Sequence, residues 1–214
     1  MRFLELRTVY RITAALAAVA LTCLVSQDTV AKTKKVHFKG KQLFEKRTGL
    51  TVLPDDDRTD VMVSSIHHHY RLVLPYSENW LFETDHDLPL LAQDDTYTVS
   101  IAIVPKDGDT ASERLQLILK RLRGSAGTEL RDPTFLKAYE RPILRYKARF
   151  ASLPKEFGDT APWVWNYWTA VSRESDWYVL HVSTEAESDI PPDEKDPTVL
   201  KRLGAGFGAD FDVD

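Results

Sequence analysis

The chain has 214 residues and a formal net charge of −4 at pH 7, with 43% hydrophobic and 28% charged residues. These values are ordinary for a soluble globular protein, and the length fits one domain plus a processed or flexible end. Cys23 is the only cysteine, which excludes an intrachain disulfide.

The N-terminus has the pattern of a secretory signal peptide. Arg2, Arg7 and Arg11 form a basic region, and the mainly apolar run 12–25 that follows is too short for a comfortable membrane span. Small residues then precede a cleavage position. We therefore predict that residues 1–31 are a removed signal peptide and that the chain is exported, to the periplasm or outside the cell.

An uncleaved anchor and a lipoprotein are the two alternatives to a cleaved signal peptide. Lipidation at Cys23 is disfavoured, because a lipobox has an aliphatic residue three before the cysteine and a small one just before it. This sequence has Ala20 and Thr22 there. After cleavage at Ala31 the chain would have no cysteine, hence no thiol catalysis and no Cys-ligated zinc. We also expect no transmembrane span after processing.

The next stretch is strongly basic and then turns acidic. Residues 32–47 hold seven positive residues against Glu45 alone, and we predict a basic, partly mobile leader. Pro54 and the run of three aspartates from Asp55 predict a loop that ends near residue 60. The folded domain is therefore predicted to begin at Val61.

Alternating apolar residues predict strands in the first half of this domain, which we expect to span residues 61–203. One strand is predicted over 61–74, two short apolar runs over 80–84 and 88–92, and a clear strand over 96–104. A helix follows. Thr110 and Glu113 form a capping box, Gly124 fits the C-terminal end, and a buried stripe is formed by Leu115, Ile118, Leu119 and Leu122.

The second half is dominated by an aromatic hairpin. A strand over 143–150 turns Leu144, Tyr146 and Ala148 to one face, and two strongly apolar runs over 163–185 then predict a central antiparallel pair covered on both faces. A short terminal helix is predicted from Asp196 to Gly204, followed by a flexible acidic tail over 204–214.

This order of elements resembles the PsbP/Mog1-like group, which includes bacterial envelope proteins of unknown role. The resemblance covers about residues 71–185 and rests on the segments LPYSENWLFETD, YTVSIAIVP, ASERLQLILKRL and WVWNYWTAVSRESDWYVLHVST. The glycine usual in the family's strand after the helix is not evident in RPILRYKARF. The resemblance implies an α+β fold, a mainly antiparallel sheet flanked by helices, serving as a binding or assembly module rather than an enzyme.

No catalytic or cofactor motif is present, and we expect neither a cofactor nor nucleic-acid binding. The alternative to a binding or assembly module is a metal-binding protein or hydrolase that uses His67 and His69. On a strand these two rings share one face and His68 takes the other, so a third ligand would have to come from a neighbouring strand. The candidates by residue type are Glu83, Asp85, His86 and Asp87. A solvated strand face is favoured over this site. His181, within an apolar strand, is predicted to be buried and hydrogen-bonded.

The remaining hypothesis concerns a basic patch that would bind an acidic protein or an anionic lipid or polymer surface. The helix stripe leaves Lys120, Arg121 and Arg123 toward solvent, and alternation puts the basic residues of the next strand on one face. If helix and strand lie close together, one partner-binding patch is formed by Lys120, Arg121, Arg123, Arg145, Lys147 and Arg149.

Overall fold

The computed structural model describes residues 34–84, 88–125, 127–150 and 161–209, which form two antiparallel β-sheets and three helices. The predicted signal peptide, Cys23 and the candidate ligands Asp85, His86 and Asp87 lie outside these ranges. No helix of the described ranges is long and apolar enough to cross a bilayer. The α+β class with a mainly antiparallel sheet is confirmed.

The elements follow one another along the chain with short connections in the N-terminal half. The strands of the described ranges are β1 (Lys34–His37), β2 (Leu43–Glu45), β3 (Leu50–Pro54), β4 (Asp60–Ser65), β5 (Tyr70–Pro75), β6 (Leu81–Thr84), β7 (Leu90–Gln93), β8 (Tyr97–Pro105), β9 (Thr128–Ala138), β10 (Arg141–Phe150), β11 (Val164–Arg173) and β12 (Asp176–Glu185). The helices are α1 (Ala111–Gly124), α2 (Pro192–Lys195) and α3 (Thr198–Gly204).

The strands form a large sheet of eight strands, in the order β1-β6-β7-β8-β12-β11-β10-β9, and a small sheet in the order β2-β3-β4-β5. Every pairing is antiparallel. β9 lies at one edge of the large sheet and β1 at the other. The aromatic hairpin, β11 and β12, lies inside the sheet, so its prediction as a central pair is confirmed.

Both faces of this hairpin are buried, each in a different core. The first core lies between the two sheets and α3 and includes Leu50, Val52, Tyr70, Leu72, Phe82, Ile101, Tyr167, Leu180 and Leu203. The second lies under α1 and joins Leu115, Ile118, Leu119 and Leu122 to Leu144, Tyr146, Trp168 and Val179. Alternation along one strand thus sends successive side chains to opposite cores. The layers are the small sheet, the large sheet and α1.

The prediction of a mobile leader and loop over 32–60 was wrong for the described residues. β1, β2 and β3 lie there, and Phe38, Leu50 and Val52 are at most 1% exposed. Charge dominated the composition of this stretch, but its few apolar residues alternate well enough to cover the first core. The folded unit therefore begins no later than Lys34, rather than at Val61.

The single strand predicted over 61–74 was also wrong, because it is two strands joined by a turn. β4 and β5 pair with each other from Asp60–Pro75 to Ser65–Tyr70, and residues 66–69 form the turn between them. His69 takes a positive φ of 53°, which breaks the extended backbone.

The C-terminal end of the described chain is also ordered, because it packs on the core and pairs with β5. Phe207 and Ala209 are 1% and 3% exposed, and Gly208 forms an antiparallel bridge with Arg71 on the outer edge of β5. Val73 also donates its backbone N–H to the Gly206 carbonyl at 3.0 Å. The predicted flexible tail is therefore corrected up to residue 209, and the predicted boundary at 203 falls inside the folded unit.

Candidate docking groove between the helix and the edge strand

A groove lies between α1 and the edge strand β9. It is an open groove of about 370 Å³, and we call it the basic groove; its lining residues are Gln116, Leu119, Lys120, Arg123, Pro133 and Phe135. Two of the six predicted partner residues, Lys120 and Arg123, therefore lie in one groove. Arg121 is on the same helix but does not line it.

The helix side of the groove follows from how α1 is built. Thr110 accepts a hydrogen bond from the Glu113 backbone at 3.3 Å, and the Glu113 carboxylate accepts from the Thr110 backbone at 2.7 Å, so the predicted capping box is confirmed. The apolar stripe then fixes the rotation of the helix on the sheet. Residues at 116, 120 and 123 are spaced by four and three, so they share one flank beside β9.

The strand side is shaped by an irregularity in β9. The register of β9 against β10 shifts by one residue between Arg145 and Lys147. The extra residue lies in a bulge of β9, where Asp132 has a positive φ of 54°. Pro133 follows and supplies no backbone donor. Phe135 pairs with Leu144, so its ring lies on the helix side of the sheet, where it is 46% exposed.

The electrostatics of the groove favour an anion beside an apolar group. Neither Lys120 nor Arg123 has a carboxylate partner within the described ranges, and both lie near the C-terminal end of α1. Leu119 and Phe135 provide the apolar part. An acidic side chain next to an apolar one would therefore satisfy both halves of the groove.

The other three predicted residues, Arg145, Lys147 and Arg149, do not join this surface. Leu144 and Tyr146 pack toward α1, so alternation turns the basic side chains of β10 to the opposite face of the large sheet. The proposed single patch of six is corrected to two separate groups. Sequence reasoning placed each side chain on the right face of its own element but could not place the faces relative to each other.

This second group is already neutralised by acidic residues. Arg145 contacts Asp193 of α2 at 2.8 Å, Lys147 contacts Asp189 at 2.6 Å, and an ion pair of 2.9 Å joins Arg149 to a glutamate of β9. The hydrogen bond and charge of Lys147 lower the pKa of the Asp189 carboxyl. Arg145 and Lys147 side chains are only 12% and 7% exposed, so they hold α2 and its preceding loop on the sheet.

The histidine triplet lies in the turn between β4 and β5, with His67 and His69 exposed and His68 half-buried. The argument that strand alternation separates the rings does not apply in a turn. Within the described ranges, no group of three His, Cys, Asp or Glu residues is arranged to hold a metal ion.

His181 is buried and hydrogen-bonded, as predicted. Its ring is 1% exposed, stacks on Trp168 at a centroid distance of 4.2 Å, and its Nε2 lies 2.9 Å from Oδ1 of Asn166. The Asn166 amide donates to the Val164 carbonyl, so Oδ1 is the acceptor and Nε2 has the hydrogen. Burial lowers the pKa of His181 to about 3, so the ring is neutral and closed off from a substrate.

No family model and no curated protein matches the sequence. Among solved structures, the chain is similar to the cyanobacterial PsbP (CyanoP) from Synechocystis sp. PCC 6803, with 10% identity and a TM-score of 0.42 over 75% of this chain and 92% of that one. It is also similar to LpqN, involved in cell envelope biogenesis of Mycobacterium tuberculosis, with 10% identity and a TM-score of 0.36 over 86% and 98%. The first belongs to the group that the sequence pattern resembles. At these TM-scores neither similarity decides what this chain binds.

Proposed function

We propose that this chain is an exported, non-enzymatic binding module of the cell envelope whose basic groove takes an acidic segment of a partner protein. The observation that carries the proposal is the groove itself, in which Lys120 and Arg123 flank an exposed aromatic ring, Phe135. Export rests on the N-terminal sequence pattern.

The partner segment is expected to bind through its side chains rather than as an added strand. Strand addition needs a row of free backbone donors and acceptors along an edge. In β9 the bulge at Asp132 and the following Pro133 interrupt that row near its middle. The groove instead offers two cations about one helical turn apart, with Phe135 opposite them.

The predicted alternative, a metal-binding protein or hydrolase using His67 and His69, receives no support from the described geometry. Both side chains are exposed on a turn, and the part of the chain that the structure describes holds no group of three such residues arranged to bind a metal ion. A bound metal needs further ligands with a fixed second shell.

The test is the affinity of the processed protein for a fluorescein-labelled, glutamate-rich peptide with one central phenylalanine, measured by anisotropy at low ionic strength. An exposed charge contact contributes roughly 0.2–1 kcal/mol, so reversing both cations costs about 1.4 kcal/mol, which is about tenfold in Kd. We expect this loss in the double variant Lys120→Glu/Arg123→Glu. The loss should shrink as salt is added, because the Debye length falls.

The matched control is Arg121→Glu, which changes the same charge on the same turn of α1 but outside the groove lining. It should bind the peptide with nearly the affinity of the wild type. Equal losses for Arg121→Glu and for the single variant Arg123→Glu, which changes the net charge by the same amount, would show that net charge rather than the groove determines binding, and the proposal would then be wrong.

A further inference from the structure

A second exposed basic region lies at the edge of the small sheet, in the segment that contains Phe44. Phe44 is 58% exposed, although it lies in β2 and is fixed there by pairing with Thr51 of β3. Exposed cationic residues precede and follow it along the chain. We call this the Phe44 surface, and its members are Phe44, Lys39, Lys41, Lys46 and Arg47.

The surface is held in place by the strand turn that follows β2. Gly49 has a positive φ of 64°, and an added Cβ would lie 2.5 Å from Cγ1 of Ile66, so the turn packs against the β4–β5 turn. The adjacent Leu43 packs on the first core, opposite to Phe44. The exposed ring is therefore presented by an ordered edge and does not result from a loose leader.

The basic side chains of this surface form no ion pairs among the described residues, although the Glu78 carboxylate lies beside Gly40, between Lys39 and Lys41. The single acidic residue of the stretch, Glu45, accepts hydrogen bonds from the backbone N–H and hydroxyl of Thr48 at 2.8 and 2.7 Å. Within the described ranges, Lys39, Lys41 and Lys46 form no ion pair with a carboxylate, and the same is true of Arg47. A concentrated positive surface thus lies on a chain whose formal net charge is −4.

The chemistry of the surface fits an anionic lipid bilayer better than a folded acidic protein. Phe44 protrudes from the outer face of an edge strand, where an aromatic ring can enter the interfacial region of a bilayer. Long lysine side chains around it can reach mobile headgroups, each contributing about 1 kcal/mol near an anionic surface. A single ring with flanking cations needs no shape complementarity, which a protein interface would require.

We infer that the Phe44 surface docks this protein on an anionic lipid bilayer. The surface belongs to the small sheet, whereas the basic groove lies beyond the large sheet, next to α1. Lipid docking therefore leaves the groove accessible to its partner. The two surfaces use different residues, so a negative result for lipid docking would not contradict partner binding in the groove, and the reverse also holds.

The test is flotation of the processed protein with vesicles of phosphatidylglycerol mixed with phosphatidylcholine, compared with vesicles of phosphatidylcholine alone. Processing is verified by intact mass, since a retained apolar segment would itself bind any bilayer. We expect binding to the anionic vesicles only. The triple variant Lys41→Glu/Lys46→Glu/Arg47→Glu should lose about 100-fold or more in partitioning, given about 1 kcal/mol for each cation.

A second variant, Phe44→Ser, keeps every charge and should weaken partitioning about tenfold by removing the inserted ring. The matched control is Lys120→Glu/Arg123→Glu, which removes two cations from the groove and should float like the wild type. All variants change exposed side chains, and their urea midpoints should match the wild type. Should charge reversal abolish folding, the neutral variants Lys41→Gln/Lys46→Gln/Arg47→Gln take its place.

Three outcomes would overturn the inference. The first is equal binding of the wild type to anionic and neutral vesicles. The second is equal loss in the groove variant and the triple variant. The third is binding of soluble polyglutamate through the Phe44 surface without any vesicle binding, which would assign the surface to an acidic protein instead.

Discussion

Burial of the neutral His181 ring is expected to make this protein less stable in mild acid. The ring donates from Nε2 to Asn166 and stacks on Trp168, while its Nδ1 has no hydrogen-bond partner within the described ranges. A second proton would have to go to Nδ1, which is buried and has no hydrogen-bond acceptor among the described residues. Burial alone therefore lowers the pKa of His181 from 6.5 to about 3.

The sign of the effect follows from which state binds the proton. Between pH 6.5 and about 3 the unfolded chain is protonated at His181 and the folded chain is not, so stability falls as the pH falls. A difference of one bound proton between the two states changes the free energy of unfolding by about 1.36 kcal/mol for each pH unit. The free energy of unfolding should therefore fall by about 2 kcal/mol between pH 7 and pH 5. Carboxylates contribute mainly at lower pH, so this interval isolates the histidine.

The assay is urea unfolding, followed by tryptophan fluorescence at pH 7, 6 and 5, of the wild type and of His181→Gln. The variant keeps a donor near Asn166 but cannot titrate, so its free energy of unfolding should depend less on pH by about 2 kcal/mol. NMR of the wild type should show the ring neutral down to pH 4.5. Parallel pH profiles for the two proteins, or a ring that titrates near pH 6.5, would refute the reasoning.

Three further outcomes are expected. Asp193→Ala leaves the buried Arg145 with only the carboxylate of Glu194 and removes the acceptor of the Tyr167 hydroxyl, so it should destabilise by about 3 kcal/mol in urea. The control Glu194→Ala, at the 55% exposed carboxylate of the same arginine, should change little, and similar effects of the two variants would contradict the buried pair. Phe207→Ala should cost about 3–5 kcal/mol, because the ring is 1% exposed, and an unchanged midpoint would contradict the tied-down tail. Intact mass of envelope-purified protein should correspond to residues 32–214; a retained N-terminus would exclude cleavage, and a diacylglycerol adduct would indicate a lipoprotein.

Local patterns predicted the elements whose signals lie within a few residues. The capping box at Thr110 and the leucine stripe fixed α1, and alternation of aromatic residues fixed the hairpin of β11 and β12. The burial of His181 followed from its apolar strand neighbours. These predictions succeeded because the side chains that face a core recur in the sequence at the period of the helix or strand that carries them.

Features set by distant parts of the chain were not predictable in this way. The turn at 66–69 contains no proline or glycine, and it is defined by pairing of β4 with β5 and by contact with Gly49. Likewise, the acidic partners of Arg145 and Lys147 lie more than 40 residues further along the chain, so their neutralisation was invisible in the sequence. Only the relative placement of α1 and β9 shows which basic residues share a groove.

The pairing of β8 with β12 has a consequence for how quickly the fold can form. Residues 106–175 separate these neighbouring strands, so the large sheet cannot close until α1 and the strands up to β11 have been made. Closing so long a loop costs conformational entropy before the contacts between β8 and β12 can form. Folds with such non-local strand pairing typically fold in roughly milliseconds to seconds. We expect the newly made chain to lack its native large sheet for that time, with the apolar side chains of both cores still uncovered.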